Sequence, residues 1–341
     1  MNNYILFPIL ITFLFYLLNL ILKKKKILID KSENFTHKKF VNNENVPISG
    51  GILFIFVIFI LSIDLNIINK VIIFSVFLLG FLSDLDKLKS PPVRLILQSI
   101  IVGLFIFLND LFVTSTRILF LDNFLENYFL FKLIFTLFCV IILLNGFNFI
   151  DGVNGLASGY FICVVINLIL LTKSFDLQVD QYFLSNILIY LFIFFVFNFF
   201  SKSFLGDSGS YLLSFFIGFY LVDFFNNNNF ISPYYIILLL WYPAFENLFT
   251  IFRRLIFEKR KVKNPDNFHL HHLIYIGIKK KVQRGKFNNS LTGILINLFN
   301  FIIIYIGGIF PNHTFNLLML VLFAVAVYIT TYIILKRNII N

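Results

Sequence analysis

At 341 residues, with 59% hydrophobic residues, 13% charged residues and a formal net charge of +11, the chain has a mean hydropathy of +0.89. That excludes a soluble globular protein and points to repeated membrane spans. The positive balance is explained by the positive-inside rule without a nucleic-acid partner, and Cys139 and Cys163, both in apolar runs, define no disulfide framework or thiolate metal site.

The expected fold is an all-α integral membrane protein, a single domain over 1–341. It is a polytopic bundle of about eleven transmembrane helices, near 4–22, 48–63, 71–83, 93–109, 129–145, 156–172, 184–200, 210–225, 231–252, 291–308 and 314–335. The third span is short in apolar residues and must continue into polar sequence or tilt. The first is followed, not preceded, by the basic run Lys23–Lys26, so it reads as an uncleaved span with its C-terminal end inside. Alternating from there puts the N-terminus outside and the C-terminus in the cytoplasm. The cytoplasmic loops are then 23–47, 84–92, 146–155, 201–209 and 253–290. Of the 28 Lys and Arg, all but Lys70, Arg117, Lys132 and Lys173 fall in these loops, at their edges or in the C-terminal tail. An error of one span would scramble that asymmetry.

Every notable polar cluster falls on the cytoplasmic side. In chain order, His37, Lys38 and Lys39 precede Pro47-Ile48-Ser49-Gly50-Gly51, a basic loop beside a glycine pair that could serve a phosphate. Asp84 and Asp86 close the third span. Two carboxylates at a membrane surface can bind Mg2+ or act as a base, and they read equally as a polar helix end. Asn145 to Leu156, N-G-F-N-F-I-D-G-V-N-G-L, carries Asn145, Asn148, Asp151, Gly152 and Asn154 and no positive charge. Alone it reads as a turn as readily as a ligand site, because Asn, Asp and Gly favour turns for local reasons. Phe204 to Ser210, F-L-G-D-S-G-S, places Asp207 at a helix start. The small residues there admit phosphate oxygens to backbone N–H groups, and the acid suits a bridging cation. The bland alternative is an N-cap.

Glu246 lies inside an apolar span, where an ionisable group is a functional candidate by default. Arg253 and Arg254 follow, able to hold phosphates or simply to mark the span's cytoplasmic end. His269, His271 and His272 form H-x-H-H. No cysteine accompanies them, so contact with a diphosphate fits better than zinc. One-sided acids, glycines and bases suggest a Mg2+-bridged diphosphate, and the surrounding helices suggest a lipid as second substrate. A transporter would more often set its ionisable residues mid-membrane.

In order, S-D-L-D-K-L, N-G-F-N-F-I-D-G-V-N-G-L-A-S-G, F-L-G-D-S-G-S and P-D-N-F-H-L-H-H-L resemble the motifs of the polyprenyl-phosphate N-acetylhexosamine-1-phosphate transferases, the MraY-type and WecA-type enzymes, over Pro47 to Leu273. The resemblance implies transfer of a sugar 1-phosphate from a UDP-sugar to undecaprenyl phosphate with release of UMP, at the cytoplasmic face of the bacterial inner membrane. It implies Mg2+, with Mn2+ as an alternative. By motif position, Asp84, Asp86, Asp151 and Asp207 are the implied catalytic carboxylates, with Asp207 and Asp151 at the metal. Asn145, Asn148, Gly152, Asn154 and Phe204 fall on the nucleotide side, and Arg253, Arg254, His269, His271 and His272 on the phosphates. Two departures stand out. Ser83-Asp84 replaces the family's Asp-Asp pair, and Asn154 stands where many members have Asp. The histidine pattern is closer to the WecA-like branch, implying a UDP-N-acetylhexosamine donor and initiation of a surface polysaccharide or O-antigen. The competing readings are phospho-MurNAc-pentapeptide transfer in peptidoglycan synthesis, a lipid-linked-sugar transporter and an inactive paralogue. Implied partners are the UDP-sugar, undecaprenyl phosphate and the bilayer, with a homodimer left open.

Overall fold

In hydrocarbon the backbone has no hydrogen-bond partner but itself, so long apolar segments fold as helices. The computed structural model describes residues 2–30, 45–62, 65–177, 180–257, 268–282 and 287–340. These form α1 (Asn2–Lys25), α2 (Gly50–Leu61), α3 (Ile67–Asp84), α4 (Pro91–Asn109), α5 (Leu119–Asn127), α6 (Phe129–Ile150), α7 (Leu156–Phe175), α8 (Gln181–Phe199), α9 (Gly206–Asn227), α10 (Pro233–Phe252), α11 (Leu270–Lys281), α12 (Asn288–Gly308) and α13 (Thr314–Ile340). A π-helical turn, Arg253–Phe257, extends α10. Strand-like pairing among the described residues is limited to the isolated bridges Ile29↔Pro47 and Ile48↔Phe204.

Among the described residues, ten helices are long and apolar enough to cross a membrane, and α2 is a shorter apolar helix. With α2 they make the expected eleven or so apolar helices, α2 alone falling short of a full crossing. At 12 residues, α2 rises only about 18 Å, short of a hydrocarbon core of about 30 Å. The chain enters it in extended form, held by Ser49 N–H and Gly50 N–H donating to the Phe204 carbonyl at 3.2 and 3.0 Å. The third span does continue into polar sequence, from Ile67 to Asp84.

Three expected loops also change. The 146–155 loop is half helix, because α6 runs on to Ile150. The polar residues of this last stretch stay helical because their side chains find partners on neighbouring helices. Asn145 donates to Gln98 Oε1 at 3.0 Å and Asn148 to Asp207 Oδ1 at 2.6 Å. The 201–209 loop ends early, at the start of α9. The 253–290 loop contains the π turn and α11. His37, Lys38 and Lys39, and Pro265 to Asn267 of the histidine motif, lie outside the described residues.

Helices α7 and α9 form the buried centre, α9 packing against α2, α3 and α6 and α7 against α8 and α12. Phe13, Phe107 and Phe129 on α1, α4 and α6 are more than half exposed, the outward apolar surface that a bilayer covers. Antiparallel alternation brings the C-terminal ends of α1, α3, α6, α8 and α10 to the N-terminal ends of α2, α4, α7, α9 and α12. The polar motifs of the described residues meet at that one end.

Candidate active site

The site is built around the start of α9. A helix N-terminus presents unpaired N–H groups, and Leu205, at the capping position, makes no side-chain cap. The cap comes instead from another helix. Asp84, the last residue of α3, accepts from Asp207 N–H at 2.8 Å, Ser208 N–H at 3.1 Å and the Ser208 hydroxyl at 2.6 Å. A carboxylate here also meets the positive end of the helix dipole. Gly206 makes the approach possible. Its φ is +74°, and a Cβ would collide with Ile48 and the Asp84 carboxylate.

This cap fixes Asp207, whose carboxylate faces three further donors. Asn148 of α6 reaches Oδ1 at 2.6 Å. Ser83 and Arg94 reach Oδ2 at 2.5 and 2.7 Å, and Arg94 also donates to Ser83 Oγ at 2.8 Å. Arg94 and Asp207 side chains stay about a quarter exposed. Ionised carboxylate offers about four lone-pair sites, so Asp207 has one left. Ser83, where the resembled family carries an acid, is thus a donor that shares Asp207 with an arginine. Neither Ser83 nor Arg94 stood out as a ligand in the sequence. Arg94 counted there only as a loop-edge cation, and nothing in P-P-V-R signals a carboxylate more than 100 residues on.

The end of α6 joins this acidic group to the histidines. Asn148 faces Asp207, while the Phe149 ring lies 5.4 Å from that of His269. Asp151 terminates the helix, its N–H bonded to the Phe147 carbonyl at 3.2 Å. Gly152 packs on His271 and His272, and a Cβ there would overlap both Nε2 atoms. His271 is fully buried, with neither ring nitrogen hydrogen-bonded among the described residues. Burial, then the neighbouring His272 and His269, push its pKa well below 6.5, so it is neutral. His269 is held from behind by Glu246 at 2.9 Å. Arg253 and Arg254 are buried in the π turn, with Arg253 over the Phe268 ring at 5.9 Å.

Other candidates sit differently. Asp86 is exposed, at φ +59°, past the end of α3; its N–H donates to the Ser83 carbonyl at 2.9 Å, but its carboxylate makes no hydrogen bond to the Asp207 group among the described residues. Asn145 spends its amide on Gln98 and its own helix. Asn154 is buried. Its N–H donates to Asn289 Oδ1 and its side chain to Ser201 Oγ, both at 2.6 Å. Asn198 ties the same turn to the next loop, accepting from Gly155 N–H at 2.6 Å and donating to the Ser203 carbonyl at 2.9 Å. Phe204 is clamped through its backbone to Pro47, Ser49 and Gly50, with its ring half-buried.

Fold and site define a polytopic integral membrane protein with a polar, acid-centred side-chain cluster at one end of its bundle. Residues 66–225 match the model of glycosyl transferase family 4. The matched region runs from the cap of α3 to the end of α9 and holds the whole Asp207 group. Among relatives, the chain is 28% identical to the undecaprenyl-phosphate alpha-N-acetylglucosaminyl 1-phosphate transferase of Thermotoga maritima, over 86% of each chain. It is 28% identical to the probable undecaprenyl-phosphate N-acetylglucosaminyl 1-phosphate transferase of Bacillus subtilis, over 43% of this chain and 42% of that one. It is also 28% identical to the phospho-N-acetylmuramoyl-pentapeptide-transferase of Borrelia garinii, over 45% of this chain and 49% of the other. The last two alignments span about half the length of those relatives.

Proposed function

We propose that the chain transfers an N-acetylhexosamine 1-phosphate from a UDP-sugar to undecaprenyl phosphate, releasing UMP, and so starts a lipid-linked polysaccharide. The observation that carries this reading is the Asp207 group: one partly open carboxylate at a helix N-terminus, flanked by an amide, a hydroxyl and a guanidinium. An acceptor phosphate oxygen attacks the phosphorus bearing the sugar, and the bond to UMP breaks. The acceptor phosphate is already anionic near neutral pH, so no proton need be removed first. Phosphoryl transfer asks mainly for positioning and neutralisation of charge. Arg94 and the histidines supply cations and donors, and Asp84 holds the helix that carries Asp207.

The donor set suits Mg2+, which prefers hard oxygens and takes one or two carboxylates plus phosphate oxygens and waters rather than an all-protein cage. Among the described residues no group of three or more His, Cys, Asp or Glu forms such a cage. Asp207, with its spare lone pair, and Asp151 at the end of α6 are the residues that would hold the ion. When bound, it would neutralise diphosphate charge. The lysine and arginine asymmetry supports a cytoplasmic site. Alignment over 86% of the Thermotoga maritima chain, against about half of the pentapeptide transferase, favours a UDP-N-acetylhexosamine donor over the muramoyl-pentapeptide one.

The test is an assay of membranes containing the chain with undecaprenyl phosphate and a donor panel: UDP-GlcNAc, UDP-GalNAc, their 6-deoxy forms and UDP-MurNAc-pentapeptide, with and without Mg2+. UMP release from a UDP-HexNAc is expected. Release from the pentapeptide donor alone would move the chain to the second reading, and release from none would end both. Asp207→Asn at full activity would remove the metal assignment.

A further inference from the structure

The proposed chemistry uses three histidines and leaves unexplained a carboxylate buried behind them. Glu246, on α10, has no exposed surface. Taking a carboxylate out of water costs several kcal/mol unless it is paired and hydrogen-bonded, so its partners define its use. One oxygen, Oε2, accepts from the Tyr328 hydroxyl of α13 at 2.7 Å. The other, Oε1, lies 2.9 Å from His269 Nδ1. The Thr250 hydroxyl, one turn further along α10, lies 3.4 Å from the same nitrogen.

Ionised carboxylate can only accept, so Nδ1 carries the hydrogen and Nε2 is the nitrogen left for other work. His269 ends the described chain before α11, as its capping residue. Its ring lies nearly parallel to that of His271, 5.4 Å away, and against Phe149 beside the Asp207 group. His271 differs: among the described residues it has no carboxylate partner, and burial holds it neutral. The three histidines are therefore not equivalent. His269 has an ion-pair partner in Glu246.

We propose that Tyr328 and Glu246 form a positioning chain that fixes His269 as the Nδ1–H tautomer, presents Nε2 to the substrate diphosphate, and supplies the counter-charge when that nitrogen takes a proton. This rests on the reading of the histidines as diphosphate contacts. Glu246 touches none of the reacting groups and acts through His269, so the last span, α13, is mechanically part of the site. Partners that fix a working imidazole in this way typically matter 10–100-fold (about) in activity when removed.

The test uses the full chain in lipid nanodiscs with 15N-labelled histidine. Only five histidines are present, and His269→Asn assigns the signal. The wild type is expected to show His269 as the Nδ1–H tautomer. Glu246→Ala is expected to lose that preference, while Glu246→Gln, which keeps an acceptor oxygen, and Tyr328→Phe retain it. In the transfer assay, Glu246→Ala lowers kcat more than it raises KM, Glu246→Gln recovers part of the rate, and the effect disappears in the His269→Asn background, as it must if Glu246 acts only through that ring. An unchanged tautomer in Glu246→Ala, or losses that multiply in the double variant, would overturn the positioning chain. Should Glu246→Ala fail to fold, Glu246→Gln and Tyr328→Phe carry the test: loss of the Nδ1–H tautomer in Glu246→Gln would overturn it. A wild type that transfers no sugar phosphate would remove the proposed activity, while the tautomer measurement would still decide the role of Glu246.

Discussion

Asp84→Ala is the most informative single change at the start of α9. The wild-type carboxylate satisfies two backbone N–H groups and one hydroxyl of that helix, and no residue of α9's own cap can take over. Losing a capping side chain costs about 0.5–2 kcal/mol. Leaving a further donor buried without a partner adds about 1–3 kcal/mol. Asp84→Ala should therefore destabilise by roughly 1.5–5 kcal/mol and let Asp207 drift. Asp84→Asn keeps one acceptor oxygen and should cost about half as much, since a neutral acceptor makes the weaker bond. Thermal unfolding of the purified full chain in nanodiscs, beside the transfer assay, reads both. Stability and activity should fall together, in the order wild type, Asn, Ala. An Asp84→Ala chain as stable as wild type would refute the capping role. An Asp84→Asn chain of wild-type stability but with no transfer would instead assign Asp84 to the chemistry, as a base on the acceptor.

Three further outcomes are expected. Arg94→Ala should fold normally and lose about 10–100-fold in transfer, the equivalent of about 1.5–3 kcal/mol for hydrogen bonds to a charged group. Arg94→Lys should recover part of the rate, because both contacts come from one nitrogen, Nη1, and an ammonium also carries several donors. Equal rates for all three chains would show that Asp207 does not need it. Gly152→Ala should drive its methyl into His271 and His272, costing about 1–3 kcal/mol of overpacking. A lower melting temperature with reduced transfer checks this. His271 is neutral in the folded chain, whereas an unfolded histidine takes a proton near pH 6.5. Acidification below that value therefore favours unfolding by up to about 1.4 kcal/mol per pH unit. His271→Asn should flatten the melting temperature between pH 6.5 and 5, and an unchanged slope would place the acid sensitivity elsewhere.

Much of the architecture was legible because a bilayer imposes one rule, an apolar run long enough to cross. Helix ends were read less well, for a specific reason. Asn145 and Asn148 look like loop residues by local propensity, yet α6 runs through them because Gln98 and Asp207 satisfy their amides. Tertiary partners overrode the local preference, and no feature of N-G-F-N shows those partners. For the same reason Asp86, two residues from Asp84 and chemically its equal, is exposed past the helix end while Asp84 turns inward. Ser83 and Arg94 were invisible as ligands because hydroxyls and span-end arginines are common and their partner lies far along the chain. Glu246 did declare itself, since an acid inside an apolar span needs a reason.

The two polar groups also explain why the end of α6 is so rich in small and amide side chains. Within five residues it must offer Asn148 to a carboxylate, Phe149 to an imidazole and Gly152 to two more imidazoles. A helix sends residues 148 and 149 about 100° apart, so the acidic and histidine groups take different faces of one helix. The chain must then leave that helix at once, because a continued turn would put side chains where His271 and His272 pack. Asp151 ends it, and Gly152 passes beneath the rings with no Cβ to obstruct them. The spacing N-F-x-D-G is thus a packing requirement as well as a chemical one. It predicts that Gly152 and Asn148 fail in different ways: Gly152→Ala through displaced histidines and lost stability, and Asn148→Ala through an Asp207 carboxylate left to Ser83 and Arg94 alone, with transfer lost and the melting temperature little changed.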